Sequence, residues 1–203
     1  MPNETKKPTK KPNKKPGGWG TVRRHLATWD KPTLLALVKD LYEVAAGNRD
    51  FIQARCQAGG HAGGQDGESG GEVLEKYRGK IVEQFFPARG FGKLKLGEAR
   101  KAIRDYRRAT GNLSGTAELL MTYVENGAEF AHEYGYSDER FYSSVESALD
   151  ELAAVLRGKA RGMYPQLSER LARVEQMTDG IGWGFHDYIG DVVGQLEEEL
   201  GDQ

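Results

Sequence analysis

The chain has 203 residues, a formal net charge of -1 and a single cysteine, Cys56. This length is enough for one domain with tails. One cysteine excludes both an internal disulfide framework and a zinc site built from several cysteines. There is no apolar run of about 18 residues and no apolar segment after the basic N-terminus. We therefore expect a cytoplasmic protein without a membrane partner.

Charge is unevenly distributed along the chain. Residues 1–18 carry six lysines and one glutamate, and residues 76–108 carry eleven Lys/Arg and three Asp/Glu. Residues 111–203 carry six basic and eighteen acidic side chains. The sequence leaves open whether the basic region 76–108 is exposed or paired with the acidic C-terminal half.

Two segments have the composition of flexible chain. Residues 1–18 are rich in lysine and proline and almost devoid of apolar side chains, so we expect a disordered arm. Residues 59–71 contain seven glycines in thirteen positions, which predicts a flexible loop. Residues 19–203 are expected to form a single helical domain that contains this loop.

The remaining sequence has helical periodicity. Asp30 and Pro32 mark the start of a first helix, which we expect to end at Gly47, with Asn48 capping the next. Further helices are predicted over 72–86, 97–109, 114–134, from Ser137 or Asp138 onward, 164–178 and 183–200. No strand pattern is present. We predict an all-α fold, either an irregular multi-helix bundle or a short α-solenoid-like array of about seven to eight helices.

The helix predicted over 97–109 carries the densest group of cations. An apolar stripe leaves the opposite face to Arg100, Lys101, Arg104, Arg107 and Arg108. Arginine binds phosphate through two parallel hydrogen bonds, and clustered cations gain affinity for nucleic acid by counterion release. The alternative is a solvated helix face, or one paired with the acidic half. No base-reading motif is present, so any nucleic-acid binding would be nonspecific.

Glu129 and His132 have the i, i+3 spacing of half a di-iron carboxylate site. A complete site needs a second such pair, and no other histidine follows a glutamate at this spacing. We therefore predict no metal and no cofactor.

The segment 179–191, DGIGWGFHDYIGD, is rich in glycine and aromatic residues. It offers a candidate pocket built from Trp183, His186 and Asp187. The alternative is a docking turn, in which the glycines permit a close approach and the aromatic side chains bury area as the last helix packs. Asp187 would then lie in the first turn of that helix.

Several pieces of the sequence resemble one family. They are EKYRGKIVEQFFP, KLGEARKAIRDYRR, LLMTYVENGAEFAHEYG and GWGFHD. Over about residues 30–195 the chain resembles a bacterial domain-of-unknown-function family of all-helical cytoplasmic proteins. The resemblance implies a helical fold and brings no established activity and no catalytic residues.

These observations favour a non-enzymatic helical interaction module that binds a protein or nucleic acid through its basic surface. One alternative is an enzyme or small-ligand-binding protein that uses the His186/Asp187 region, with Tyr188 and His132. The other is a self-associating structural protein. The sequence does not determine the oligomeric state.

Overall fold

The computed structural model describes residues 18–58, 68–136, 138–182 and 184–201. Within these ranges the predicted all-α fold is confirmed, with nine α-helices, one 3-10 helix and no strand. The helix that the sequence did not predict is α1 (Trp19–Leu26). The chain divides by its internal contacts into two compact units, Met1–Arg49 and Asp50–Gln203.

The first unit contains α1 and α2 (Lys31–Val44). Asp30 caps α2 as predicted, because its carboxylate accepts a hydrogen bond of 3.0 Å from the Thr33 amide. Neither helix contains a buried residue.

The predicted boundary at Gly47 is wrong. The chain breaks at Ala45, whose extended backbone (φ -151, ψ 137) ends α2 at Val44. Gly47 and Asn48 lie inside α3 (Ala46–Gln57). Asn48 therefore does not cap the start of α3; its side chain donates a hydrogen bond of 3.0 Å to the Leu41 carbonyl in the last turn of α2, across the break.

The second unit is a helical bundle. Its helices after α3 are α4 (Glu68–Phe85), α5 (Leu96–Thr110), α6 (Leu113–Tyr134), α7 (Glu139–Arg157), α8 (Tyr164–Thr178) and α9 (Phe185–Leu200). A 3-10 helix, Arg161–Met163, precedes α8. α4 begins four residues earlier than predicted, so the end of the proposed glycine-rich loop 59–71 is helical. The rest of that loop and residues 1–17 of the arm lie outside the described residues.

α6 is the central helix of this bundle. It packs against α4, α5, α7 and α8, and most of its side chains are buried. The Asn112 side chain starts it by accepting a hydrogen bond of 2.8 Å from the Gly115 amide. Asp138 caps α7 in the same way, with 2.9 Å to the Phe141 amide; Ser137, the other predicted cap, lies outside the described residues. Because α5 and α7 both pack on α6, this helix determines where their charged faces lie.

Candidate binding surface and C-terminal turn

α5 has a buried stripe and a charged face. The stripe consists of Ala99, Ala102, Ile103, Tyr106 and Ala109. Because successive residues advance by about 100° around a helix, the cations of α5 lie on its remaining surface. They do not form one continuous exposed cluster, since the neighbouring helix α7 divides them into two groups.

Arg100 and Arg107 belong to the group that faces α7. Arg100 Nη2 lies 2.8 Å from Glu151 Oε2, and Arg107 Nη1 lies 3.5 Å from Glu151 Oε1. The Arg100 guanidinium also lies over the ring of Tyr123, 5.6 Å from its centroid, and its side chain is only 17% exposed. Arg100 therefore joins α5 to α7 and is not an open binding residue.

Arg104 and Arg108 form the outward group. Both side chains are exposed, and neither guanidinium forms an ion pair with any residue that the structure describes. The Arg108 carbonyl, by contrast, accepts a hydrogen bond from Arg55. Lys101 is exposed but forms an ion pair of 2.5 Å with Asp105 one turn along the helix. Of the five predicted cations, Arg104 and Arg108 thus have no ion-pair partner within the described part of the chain.

Three of the other cations in the basic region 76–108 are paired with carboxylates, whereas Arg89, Lys93 and Lys95 are exposed. Lys76 and Lys80 both form ion pairs with Asp50 of α3, and Arg78 reaches Glu118 of α6 at 3.4 Å. Burial alone would raise the pKa of Asp50, but the hydrogen bonds from both lysines outweigh it and lower the pKa below its ordinary value. These pairs hold α3, α4 and α6 together and reduce the charge available to a partner.

The strongest charge network was not predicted from the sequence. Arg170 of α8 lies 2.8 Å from Glu118 and 2.6 Å from Glu125, both on α6. The hydrogen bond to Glu125 is the main cause that raises the pKa of Arg170 above its ordinary value. The seven-residue spacing of Glu118 and Glu125 places them on one face of α6, which is the only sequence signal for this network.

The C-terminal turn packs against the bundle. Gly180 and Gly184 have φ values of 77° and 73°, in the left-handed region that favours glycine. Phe185 follows, is fully buried and stacks on Tyr142 with ring centroids 4.5 Å apart. The geometry of Gly180, Gly184 and Phe185 is that of a docking turn.

The candidate pocket residues have separate surroundings. Trp183 lies outside the described residues. His186 Nδ1 is 3.1 Å from Thr178 Oγ1, and the Thr178 hydroxyl donates to the Glu175 carbonyl at 2.8 Å, so the arrangement that satisfies both has Nδ1–H donating to Thr178. Asp187 is exposed in the first turn of α9.

Tyr188 and His132 add no evident catalytic pair. Tyr188 donates a hydrogen bond of 2.7 Å to Asp150, which together with burial raises the pKa of Tyr188 to about 12. His132 is exposed beside a groove of about 410 Å³ that is also lined by Tyr142 and residues 179–182. Within the ranges that the structure covers, no three His, Cys, Asp or Glu side chains are grouped to hold a metal ion.

Comparisons with protein-family models, curated proteins and solved structures found no match for this chain. Among the described helices, none combines the length and apolar character needed to cross a bilayer.

Proposed function

We propose that the protein is a non-enzymatic binding module that uses the outward cations of α5 to hold a partner with closely spaced negative charges. The proposal rests on Arg104 and Arg108, which lie one helical turn apart, are exposed, and lack ion-pair partners within the described residues. A guanidinium in this state binds phosphate or carboxylate through two parallel hydrogen bonds. Lys101 adjoins them, at the cost of its pair with Asp105.

A nucleic-acid backbone is the partner that we test first. Two neighbouring guanidinium groups match a row of phosphates, and contacts to phosphates carry no sequence information. Neutralising two phosphates gives a slope of about -2 when the logarithm of the binding constant is plotted against the logarithm of salt concentration. The proposal therefore requires weak binding that depends on salt and not on sequence.

The experiment is fluorescence anisotropy with a short DNA duplex and a single-stranded RNA at several salt concentrations. Arg104→Glu/Arg108→Glu reverses both outward charges. Arg140→Glu/Arg173→Glu is the matched control, because these arginines are exposed on α7 and α8 and the change in net charge is the same. We expect the first variant to lose binding at low salt and the control to keep most of it.

Equal weakening by both double variants would mean that only net charge matters, and it would overturn the proposal. So would full binding by Arg104→Glu/Arg108→Glu, which would assign the binding to the lysines of residues 1–18. A parallel titration with poly-glutamate identifies the partner class. Binding of poly-glutamate alone, lost in the same variant, would assign the α5 surface to an acidic protein.

A further inference from the structure

The first two helices expose large apolar side chains. The described residues of the first unit that do so are Trp19, Val22, Trp29, Leu35, Val38, Leu41 and Val44, with 69% of Trp19 and 75% of Val44 accessible. Among the described residues of the much larger second unit there are two such side chains, Phe91 and Tyr134. Single exposed apolar residues are ordinary on a protein surface, whereas a concentration of them marks an interaction surface.

These side chains follow helical spacing. Trp19 and Val22 are three positions apart on α1, and Val38, Leu41 and Val44 succeed one another at three positions on α2, so each group shares a face. Lys39, Asp40 and Glu43 occupy the opposite side of α2. Both helices are therefore amphipathic. On the apolar face of α2, Leu34 and Leu37 are half-buried, whereas Val38, Leu41 and Val44 are exposed.

Helices as short as α1 and α2 are only marginally stable unless another surface covers their apolar faces. α1 has eight residues and α2 has fourteen, and isolated helices shorter than about 12–15 residues are marginal in water. With no buried residue in either helix, their own unit supplies little packing energy. A surface that accepts the apolar faces would stabilise both helices.

The charge of the N-terminal residues indicates what kind of surface would cover α1 and α2. Residues 1–31 carry nine Lys/Arg and two Asp/Glu, and Arg23 and Arg24 are exposed on α1 beside Trp19. A second copy of the chain would bring two strongly basic segments together, which repel. A nucleic acid would satisfy the charge but offers nothing to valine and leucine side chains. An anionic bilayer surface satisfies both requirements.

We infer that α1 and α2 bind the surface of anionic lipid membranes, with their apolar faces in the headgroup boundary and Arg23, Arg24 and Lys31 against the lipid charge. Tryptophan at this depth places its ring among the headgroups. A helix that lies on a membrane is physically distinct from one that crosses it. This inference departs from the expectation of no membrane partner, and it is independent of the α5 surface.

Co-sedimentation of the full chain with vesicles tests the inference. Vesicles with about one-third phosphatidylserine are compared with pure phosphatidylcholine vesicles at low and high salt. We expect sedimentation with the anionic vesicles only, weakened by salt. Amide hydrogen exchange in residues 18–45 should slow when these vesicles are added, because binding stabilises α1 and α2.

The decisive variant is Trp19→Gln/Leu41→Gln/Val44→Gln, which replaces three exposed side chains of the two apolar faces and leaves the buried core untouched. It should bind anionic vesicles at least about tenfold more weakly, a loss of about 1.4 kcal/mol. Phe91→Gln is the matched control, since Phe91 is an exposed aromatic residue of the second unit, and it should bind as the parent does. Trp19→Gln alone provides a second test with less disturbance of α2.

Three results would overturn the inference. The first is no sedimentation with anionic vesicles at low salt. The second is unchanged sedimentation of both the triple and the single variant, which would leave binding to the lysines alone. The third is a dimer in light scattering that the triple variant dissociates without any lipid binding, which would assign the apolar faces to a second copy.

Discussion

Gly127 of α6 lies so close to Val145 of α7 that a β-carbon at position 127 would stand 2.6 Å from Val145 Cγ2. Both residues are buried, and α6 and α7 share one of the main helix contacts of the bundle. This close contact explains why glycine occupies a position where alanine would favour the helix by about 1 kcal/mol.

Gly127→Ala is expected to destabilise the protein. Val145 is β-branched and fully buried, so it cannot move aside by rotating freely, and overpacking of this kind costs about 1–3 kcal/mol. Gly194→Ala is the matched control, because nothing lies within 4 Å of a β-carbon at that α9 position, and it should gain up to about 1 kcal/mol. Urea unfolding curves measure both; a stabilised Gly127→Ala variant would contradict the close contact.

The ion pair of Arg100 with Glu151 should contribute more than an exposed pair on the same helix. Arg100 is largely buried, and its charge is shared between the carboxylate and the ring of Tyr123. A double-mutant cycle with Arg100→Met and Glu151→Gln should give a coupling energy of about 1 kcal/mol.

Lys101 and Asp105 provide the comparison for that cycle. Their pair lies on the exposed side of α5, with 55% of the lysine side chain accessible, so its coupling should be at most about 0.5 kcal/mol. Equal coupling energies in the two cycles would mean that the Arg100–Glu151 pair stabilises the fold no more than an exposed pair does. Arg100 would then belong with the exposed cations of α5.

Periodicity placed most helices of the second unit well. α5 was predicted over 97–109 and is Leu96–Thr110, and α8 matches its predicted range. The sequence does not predict the helices correctly where backbone conformation or tertiary contacts, and not periodicity, determine the structure. The break after α2 depends on the extended backbone of Ala45, for which alanine gives no signal. α1 was missed because WGTVRRHL is short and lacks a capping side chain.

The charge pairing was only partly readable from the sequence. Arg100, Arg104, Arg107 and Arg108 lie within about 100° of one another around the helix, so the sequence predicts one basic face. Only the position of Glu151 on α7 shows that Arg100 and Arg107 are paired and that Arg104 and Arg108 are not. Single-sequence patterns contain no information about which carboxylate from a distant helix will face a given arginine.

Acid should weaken the contact between α3 and α4 through Asp50. Its folded-state pKa is held below the ordinary value of 3.8, so Asp50 stabilises the folded state above the unfolded pKa. This stabilisation is lost as the pH falls through the folded pKa. The stability difference between the parent and Asp50→Asn should be largest near neutral pH and should shrink below about pH 4.

The control for Asp50 removes its partners. In a Lys76→Met/Lys80→Met background the two hydrogen bonds are absent and burial alone raises the pKa of Asp50, so the pH dependence should reverse in sign: the unpaired carboxylate should cost stability near neutral pH, and Asp50→Asn should remove that cost. Unfolding free energies measured from neutral to acidic pH decide this. A difference of the original sign that survives in that background would show that the lysines are not the cause of the lowered pKa.

The C-terminal turn allows a test of whether glycine is needed for backbone geometry. Gly184 has φ of 73°, so Gly184→Ala forces an L-residue into the left-handed region and should cost about 1 kcal/mol or more. Gly182, two residues earlier, has no such φ and has open space around a β-carbon, so Gly182→Ala should be nearly neutral. Thermal or urea unfolding compares the two.

A larger loss at position 184 than at position 182 is expected of a docking turn. Gly184, whose positive φ disfavours other residues, directly precedes Phe185, the buried ring that stacks on Tyr142. Equal losses at both positions would mean that position 182 is also constrained, as expected if residues 179–182 and His132 enclose a ligand rather than solvent.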